Sequence, residues 1–216
     1  MLNKLKHFYV NKYIVSPFAK HKYYISYCFK HKALWYRNYK VASRTIDKML
    51  RDSEGEKNYI YSSEVGYIPS RYKNYFKFAF VRNPEERFIS AWKNLVLKRN
   101  YFKFHPEEYK KMKQLDNFVT WAKQWDKKSC DEHLRAQYAL IDSENADFIG
   151  RMEYFDRDME YVAGQIGIKY EKAQKLNVST IEIDEISDAL RSDIQDMYRK
   201  DYDLFYSGHY ESDISK

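Results

Sequence analysis

A cluster of basic and hydroxyl side chains, Lys-Val-Ala-Ser-Arg-Thr, occupies residues 40–45. An apolar, aromatic run at residues 33–39 precedes it, and apolar residues at helical spacing follow from Ile46, so the pattern predicts a strand, a loop and a helix. A helix start presents free N–H groups and the positive end of the helix dipole to an anion. The side chains that add phosphate donors to this predicted anion site are Lys40, Ser43, Arg44 and Thr45.

This candidate phosphate loop is not of the Walker A type. The sequence Gly-x4-Gly-Lys-Ser/Thr is absent, and no glycine lies between residues 1 and 54. A nucleoside triphosphatase is therefore disfavoured, and so is a kinase-like phosphoryl transferase, which would also need a magnesium-binding pair that is not evident. The alternative interpretation of the cluster is a polar, capped helix start.

A second pattern that could bind phosphate lies at residues 80–92, Phe-Val-Arg-Asn-Pro-Glu-Glu-Arg-Phe-Ile-Ser-Ala-Trp. The run at residues 75–81 is almost continuously apolar, as expected of a strand buried on both faces, and the Asn-Pro pair then opens a helix. Arg82 at the strand end can bind a phosphate with two parallel hydrogen bonds. Ser90 follows eight residues later, inside the helix, and its hydroxyl can donate to the same group.

Ion pairing within this helix start is the alternative to phosphate binding. Arg82 would then pair with Glu85 or Glu86, and Ser90 would be a small residue at a helix contact. We expect Arg87 to be a structural ion-pair partner of the same glutamates rather than a ligand.

Two further polar positions are candidates for the substrate side. His133 and Gln137 are four residues apart and would share one face if Asp131 began a helix, with surface decoration as the alternative. Arg151 follows the end of a predicted strand and could reach a nucleotide or an acidic sugar. An ion pair of Arg151 with an acid of the next turn, Glu153 or Asp156, is equally consistent with the sequence.

Alternation of strands and helices recurs three times and must position these loops. Predicted strands at residues 33–39, 75–81 and 146–150 are each followed by a helical pattern, with a short strand at residues 58–61 between the first two. Other predicted helices include one of about ten residues capped by Asp116, one stopped by Gly167, and one marked by Ile183, Ile186, Leu190, Ile194 and Met197. The pattern predicts an α/β fold with a central parallel sheet flanked by helices and a ligand site at the carboxyl ends of the strands.

Length and composition limit the class of protein. The 216 residues fit one domain, without repeats or linkers, and no apolar run is long enough to cross a bilayer. No secretory signal is evident, so we expect a cytoplasmic protein. The two cysteines, Cys28 and Cys130, suit neither a disulfide framework nor a zinc site, and no metal is expected.

Basic charge points to an anionic partner. The net charge is +7 and the pI about 9.1, and much of the excess lies in lysines scattered among aromatic residues 1–32. This segment shows no clean period, which favours a basic, aromatic extension, loosely packed or made of short helices. Its charge is interpreted as a solvated face, and the alternative is a docking surface for an acidic acceptor or a membrane.

The two phosphate patterns together resemble the sulfotransferases, and in detail the carbohydrate branch that modifies chondroitin, dermatan and heparan chains. Residues 39–46 resemble the 5′-phosphosulfate loop of that family, and residues 80–92 resemble its 3′-phosphate motif, including the Arg-to-Ser spacing of eight. Three further stretches match in order, at residues 133–137, 147–153 and 198–205, so the resemblance covers about residues 33–206. The fold that it implies is a P-loop-like three-layer sandwich.

The resemblance implies transfer of a sulfuryl group from 3′-phosphoadenosine 5′-phosphosulfate to a carbohydrate hydroxyl, without a metal. Lys40 would offset the charge on the departing nucleotide. Ser43, Arg44, Thr45 and the loop amides, that of Ala42 among them, would bind the 5′-phosphate, while Arg82 and Ser90 would bind the 3′-phosphate. A base must take the acceptor proton. The family places a histidine or glutamate near the strand between the two motifs, which here is Glu64; His133 is the next candidate, and a surface ion pair is the alternative for Glu64.

Partners follow from the same resemblance. We expect a nucleotide donor and a carbohydrate acceptor. The basic charge is compatible with an acidic acceptor, and a bacterial surface polysaccharide is one candidate. Nucleic acid is not expected. A membrane surface is a further candidate partner for residues 1–32. The alternative from another class is a non-catalytic module whose basic, aromatic surface binds nucleic acid or an anionic glycan.

Overall fold

The computed structural model describes residues 2–172 and 186–208. The chain divides into two compact units. The sheet unit comprises Met1–Val81 and Ala139–Gln174, and the helical unit comprises Arg82–Tyr138 and Lys175–Lys216. A single-domain organisation stays a prediction.

A five-stranded sheet forms the centre of the sheet unit. Its strands are β1 (Tyr23–Cys28), β2 (Ala33–Tyr36), β3 (Tyr59–Val65), β4 (Phe76–Val81) and β5 (Phe148–Arg151), in the order β3-β1-β2-β4-β5. Strands β2, β4 and β5 are parallel, and β1 is antiparallel to both β2 and β3. The α/β class is confirmed, but the sheet is mixed, not wholly parallel. Only four residues join β1 to β2, too few for the crossover that parallel strands require.

The N-terminal segment contains β1, which the sequence did not predict. Helix α1 (Leu2–Tyr9) continues as a π-helix, Val10–Val15, and β1 then lies between β3 and β2 in the sheet. Five of the six residues of β1 are buried, so the strand lacks the alternation of polar and apolar residues that marks a half-exposed strand. The picture of residues 1–32 as a loose extension is therefore wrong for this strand.

Helices α2 (Ser43–Glu54) and α6 (Phe155–Ile166) follow β2 and β5. Gly167 ends α6 at φ 67°, as its position in the sequence predicts. Strands β4 and β5 pack closely because Gly150 has no side chain, since a Cβ there would lie 2.6 Å from the ring of Phe80.

The helical unit contains α3 (Pro84–Trp92) with a π-helical extension, Lys93–Leu97, then α4 (Pro106–Met112), α5 (Leu115–Lys123), α7 (Asp188–Met197) and α8 (Arg199–Phe205). Its aromatic core includes Phe88, Phe118 and Tyr198. The predicted cap of α5 is wrong, because Gln114 lies at the N-cap without a side-chain bond and Asp116 lies in the first turn. Ile183, predicted to begin the last helical pattern, lies outside the described residues.

Across residues 2–172 and 186–208, no helix has the length and apolar character needed to cross a membrane.

Candidate active site

The loop between β2 and α2 is organised by Asn38, a residue that the sequence did not single out. Asn38 is buried, and its Nδ2 donates to the carbonyl of Phe80 on β4 at 3.2 Å. Its Oδ1 accepts from the N–H of Tyr39, and its carbonyl accepts from the Ser43 hydroxyl at 2.6 Å. Asn38 therefore ties both ends of the loop to the parallel part of the sheet. The contact of Asn38 with Phe80 spans 42 positions, and no local pattern in the sequence indicates it.

Two residues of this loop adopt left-handed backbone conformations without being glycine. Lys40 has φ 68° and Ala42 has φ 54°, and Ala42 is the N-cap of α2. Its carbonyl accepts from the N–H groups of Thr45 and Ile46. Alternation of right-handed and left-handed residues turns successive N–H groups toward one side, and such a concavity binds anions. A left-handed alanine costs of order 1 kcal/mol in conformational energy. Residues with strained backbones of this kind cluster at functional sites.

The structure brings the five predicted donors of the 5′-phosphosulfate loop into this one turn. Arg44 is exposed, and the others are half-buried, namely Lys40, Ala42, Ser43 and Thr45. The first N–H groups of α2 have no partner inside the helix. The arrangement of cations, hydroxyls and N–H groups fits a phosphosulfate chemically, because every donor class that the group binds is present.

The acid nearest to the loop along α2 is Asp47, and its charge is already compensated. Its carboxylate pairs with Arg37 at 2.9 Å and with Arg51 at 2.7 Å, and it accepts a hydrogen bond from Tyr59 at 2.6 Å. Partial burial acts to raise the pKa of Asp47, but the Tyr59 hydroxyl and the two guanidinium groups outweigh it and hold that pKa below its ordinary value. Asp47 therefore fixes the start of α2 without cancelling the positive charge of the loop.

In the helical unit, Arg82 directly precedes α3 and Ser90 lies within that helix. Asn83 caps the helix, its side chain accepting from the N–H groups of Glu85 and Glu86. The Arg82 guanidinium pairs with Glu86 at 3.1 Å, the alternative that the sequence left open. Ser90, half-buried, follows Glu86 by one helical turn. The glutamate thus lies between the two predicted phosphate donors on one face of the helix.

The main chain of Arg82 is held by the side chain of Gln137. Gln137 is fully buried, accepts from the Arg82 N–H and donates to the Arg82 carbonyl. Asp201 of α8, also buried, accepts from the N–H groups of Gln137 and Tyr138. Asp131 does not begin a helix, the condition for a shared helical face, because residues 132–134 form a turn and a 3-10 helix, Gln137–Ala139, follows. The local spacing of four therefore does not define a shared helical face.

Arg87 is structural, as expected, but not through the neighbouring glutamates. Its side chain is fully buried and donates to the carbonyl of Glu132 at 3.3 Å. Glu85 lies near Arg191 instead, and Glu86 pairs with Arg82. Burial lowers the pKa of Arg87, and the negative charge available at Tyr198 and Asp201 opposes this effect.

His133 forms a hydrogen-bonded pair with Asp131. The ring Nδ1 lies 2.9 Å from Oδ1 of Asp131, and the Tyr101 hydroxyl donates to the other carboxylate oxygen at 3.1 Å. Burial acts to raise the pKa of Asp131, but the hydrogen bonds from His133 and Tyr101 lower it below its ordinary value. A carboxylate on Nδ1 orients the ring and, in the neutral form, leaves the basic lone pair on Nε2.

Asp131, Glu132 and His133 also bring three potential metal-ligand atoms within 4.8 Å of one another. Two of these residues already bond to each other, and exposed acids gather without a metal in many proteins. The prediction of chemistry without a metal stays a prediction.

The remaining predicted site residues lie in the sheet unit. Glu64 is exposed near the end of β3 and has φ 48°. Arg151 is the last residue of β5, and its N–H donates to the buried carboxylate of Asp158 at 2.7 Å. Asp158 also accepts from Arg157, so this acid anchors the end of the strand.

A family model described as the sulfotransferase family matches residues 3–207. The chain belongs to the sulfotransferase family. Comparisons with curated proteins and with solved structures found no match. Membership supports a transferase that moves a sulfuryl group, with a sulfate donor of the nucleotide type and an acceptor substrate. The α/β sandwich agrees with the sulfotransferase fold. Membership in this family does not distinguish a carbohydrate acceptor from other acceptors.

Proposed function

We propose that the chain transfers a sulfuryl group from 3′-phosphoadenosine 5′-phosphosulfate to a carbohydrate hydroxyl. The observation that carries the proposal is the loop from Asn38 to Thr45, where two left-handed residues, a helix start and two cations lie within one turn. Helix starts and turns of this kind bind anions. The sulfotransferase family generally uses this donor.

Lys40 is the proposed catalytic cation. In the transfer, a bond forms between sulfur and the acceptor oxygen while the bond between sulfur and the bridging oxygen of the nucleotide breaks. Negative charge grows on that bridging oxygen, and an ammonium group beside it lowers the barrier. In this scheme Arg44, Thr45 and the N–H groups at Ala42 and the start of α2 bind the 5′-phosphate. The Ser43 hydroxyl joins them only by giving up its bond to the Asn38 carbonyl.

Arg82 and Ser90 bind the 3′-phosphate, the group that distinguishes this donor from ATP. Their support is their placement at the start and on one face of α3, with Arg82 fixed by Gln137. Glu86 competes for Arg82, so a phosphate must displace this carboxylate from the guanidinium. Arg151 remains a candidate contact for the nucleotide.

His133 is the proposed base that takes the proton of the acceptor hydroxyl. The support is the bond to Asp131, the orientation that a neutral histidine needs to accept a proton at Nε2. Glu64 is the alternative. Its carboxylate is exposed near the end of β3, where the resembling family has a histidine or glutamate.

The proposed acceptor is a carbohydrate, and the net charge of +7 favours an acidic one. A bacterial surface polysaccharide is a candidate. Sulfuryl transfer from radiolabelled donor to desulfated and uronic-acid-containing polysaccharides, compared with phenols and peptides, tests the acceptor class separately from donor use.

Thermal unfolding with added ligands tests the donor. The purified chain is heated with 3′-phosphoadenosine 5′-phosphate, with ATP or with single-stranded DNA. A ligand at 100 times its Kd adds about 2.7 kcal/mol, which raises Tm by several degrees in a chain of this size. We expect that rise with the 3′-phosphorylated nucleotide and not with ATP. Stabilisation by DNA alone would favour the non-catalytic binding module, and no stabilisation by the nucleotide would refute the donor assignment.

A further inference from the structure

Exposed apolar side chains concentrate at the N-terminal end of the sheet unit. Of the nine large hydrophobic side chains exposed in the described residues, four lie within ten positions of one another. The most exposed is Phe18, at 88%. We call the following residues the N-terminal patch: Tyr9, Tyr13, Ile14, Phe18 and Ile68. Ile14, Phe18 and Ile68 line one groove, and the ring of Tyr13 stacks on that of Tyr9 at 5.6 Å.

The segment that carries the patch is anchored to the sheet unit and is not a loose tail. The Ser16 hydroxyl donates to the carbonyl of Asn11 at 2.6 Å and accepts from the N–H of Gly66 at 2.8 Å. Ala19 packs closely against Gly66 because glycine has no side chain, since a Cβ on Gly66 would lie 2.3 Å from the Ala19 methyl. Two residues before Tyr9, His7 bonds to the Tyr72 hydroxyl at 2.9 Å. The apolar side chains are therefore presented by a fixed backbone.

Positive charge surrounds this patch. The first 46 residues contain ten lysines and arginines and no aspartate or glutamate. Exposed lysines flank the apolar residues along the chain, namely Lys6, Lys12, Lys20 and Lys22. The Lys12 ammonium lies 5.8 Å from the centre of the Tyr13 ring. Asp142 is the acid bonded to a groove residue, and its partner is the inward hydroxyl of Tyr67, which is itself buried.

A partner for this surface must offer apolar and anionic groups together. Sugars and nucleic acids could stack on the three aromatic rings of the patch, but the exposed isoleucines Ile14 and Ile68 offer them neither a ring nor a hydrogen-bond donor. A second copy of the chain could cover the apolar side chains, but a symmetric contact would bring the same lysines together. An anionic lipid surface offers negative headgroups to the lysines and acyl chains to the apolar residues.

We propose that the N-terminal patch docks the protein on an anionic phospholipid surface, with Phe18 and Ile14 entering the headgroup region and the flanking lysines contacting lipid phosphates. Docking of this kind is peripheral and independent of sulfuryl transfer. It would bring the enzyme to an acceptor held at a membrane.

Vesicle sedimentation tests this proposal. The full chain is mixed with vesicles of phosphatidylcholine alone or of phosphatidylcholine with phosphatidylglycerol, and the bound fraction is measured. We expect binding to the anionic vesicles that falls as salt is added. Because each lysine near such a surface contributes about fivefold in affinity, Lys12→Gln with Lys20→Gln should weaken binding about 25-fold. Phe18→Ser should weaken it about tenfold.

Matched controls separate docking from general charge and folding. Lys48→Gln with Lys57→Gln removes the same charge from exposed sites of the sheet unit, and Trp125→Ser removes an exposed aromatic ring from the helical unit. Both controls should bind vesicles like the wild type, and all variants should keep the nucleotide-induced rise in Tm. Three results would each overturn the proposal. The first is an equal loss of vesicle binding in the charge control, and the second is no binding to anionic vesicles. The third is light scattering that shows a wild-type dimer and a monomeric Phe18→Ser variant.

Discussion

Gln137 is hydrogen-bonded to both main-chain groups of Arg82, its Oε1 accepting from the N–H at 3.0 Å and its Nε2 donating to the carbonyl at 2.8 Å. An amide side chain has the donor and acceptor pattern of a peptide group, so Gln137 bonds to both main-chain groups of Arg82 as a neighbouring strand would. Asp201 fixes the main chain of Gln137 in turn. The direction in which the Arg82 side chain leaves the backbone therefore depends on a buried network of the helical unit.

Gln137→Glu should weaken binding of the 3′-phosphorylated nucleotide about tenfold. The substitution replaces the Nε2 donor with an oxygen that faces the Arg82 carbonyl, and a buried acceptor left without a donor costs about 1 to 3 kcal/mol. Calorimetry with 3′-phosphoadenosine 5′-phosphate and with adenosine 5′-phosphate makes the comparison. The second nucleotide lacks the 3′-phosphate, so its affinity should change by less than threefold.

The control for this substitution is Gln195→Glu, the same chemical change at an exposed site of α7. It should leave both affinities unchanged. An equal loss for the two nucleotides in Gln137→Glu would mean that Gln137 only stabilises the fold and does not position Arg82.

Glu86→Gln should tighten binding of the 3′-phosphorylated nucleotide by up to about fivefold. Glu86 occupies the Arg82 guanidinium, and its partly exposed pair is worth about 0 to 1 kcal/mol, which a phosphate must give up. Glu107→Gln removes the same charge from an exposed pair with Lys110 and should have no effect. Weaker binding in Glu86→Gln would indicate that the pair supports the helix instead of competing with ligand.

Arg82→Ala should weaken the same nucleotide about tenfold to a hundredfold, since a charge-assisted hydrogen bond contributes about 1.5 to 3 kcal/mol. Ser90→Ala, which removes a neutral donor, should cost less. Wild-type affinity in Arg82→Ala, measured by calorimetry, would remove the 3′-phosphate assignment.

The parts of the fold that the sequence predicted are those with a local pattern. The apolar runs of β2 and β4 and the Asn-Pro start of α3 are visible in neighbouring residues, because burial on both faces and capping are local requirements. Strand β1 is buried as well, but it was not predicted because its serine and tyrosines interrupt the apolar run. Within this strand the Tyr27 hydroxyl accepts from Nδ2 of Asn11 at 3.5 Å, and Ser26 accepts from the Tyr59 hydroxyl at 2.8 Å.

The polar contacts that hold the candidate site are long-range and left no local signal. Asn38 reaches the carbonyl of a residue 42 positions away, and Asp201 accepts from a residue 64 positions away. His133 and Gln137 would share a helix face only if an α-helix began at Asp131. A turn followed by a 3-10 helix occupies these positions, so the spacing of four does not put the two side chains on one face. The periodicity of a sequence predicts which residues share a face of a helix or strand. It does not predict which side chains bond to main-chain groups far away in the sequence.

Lys40→Ala should cut turnover by on the order of a hundredfold or more, while nucleotide affinity falls less. The reason is that the ammonium meets a charge that grows only as the transfer proceeds. Lys48→Ala, on the exposed face of α2, is the control, since Lys48 pairs with Asp52. Steady-state transfer and donor hydrolysis are measured for both variants. Wild-type rates in Lys40→Ala would show that Lys40 at most holds the anion.

Ala42→Gly should stabilise the protein by about 0.5 to 1 kcal/mol, a rise in Tm of about 2 °C, because glycine adopts φ 54° without the strain of a Cβ. Ala42→Val should destabilise it by more than this, since a branched side chain resists the left-handed region. Lys32→Gly, at φ 48° in the turn between β1 and β2, is a positive control outside the loop. A lower Tm in Ala42→Gly would argue that the loop is not left-handed in solution.

The identity of the base is tested by the pH dependence of transfer in His133→Asn and Glu64→Gln. A base works when deprotonated, so the rate rises with pH through its pKa, ordinarily about 6.5 for a histidine and about 4.3 for a glutamate. We expect His133→Asn to lose about a hundredfold in kcat together with the pH dependence that this base causes, and Asp131→Asn to lose about tenfold because the ring is no longer oriented. Glu64→Gln should keep the wild-type rate and profile. A large loss in Glu64→Gln with an intact His133→Asn would make Glu64 the base and leave the Asp131–His133 pair a structural one.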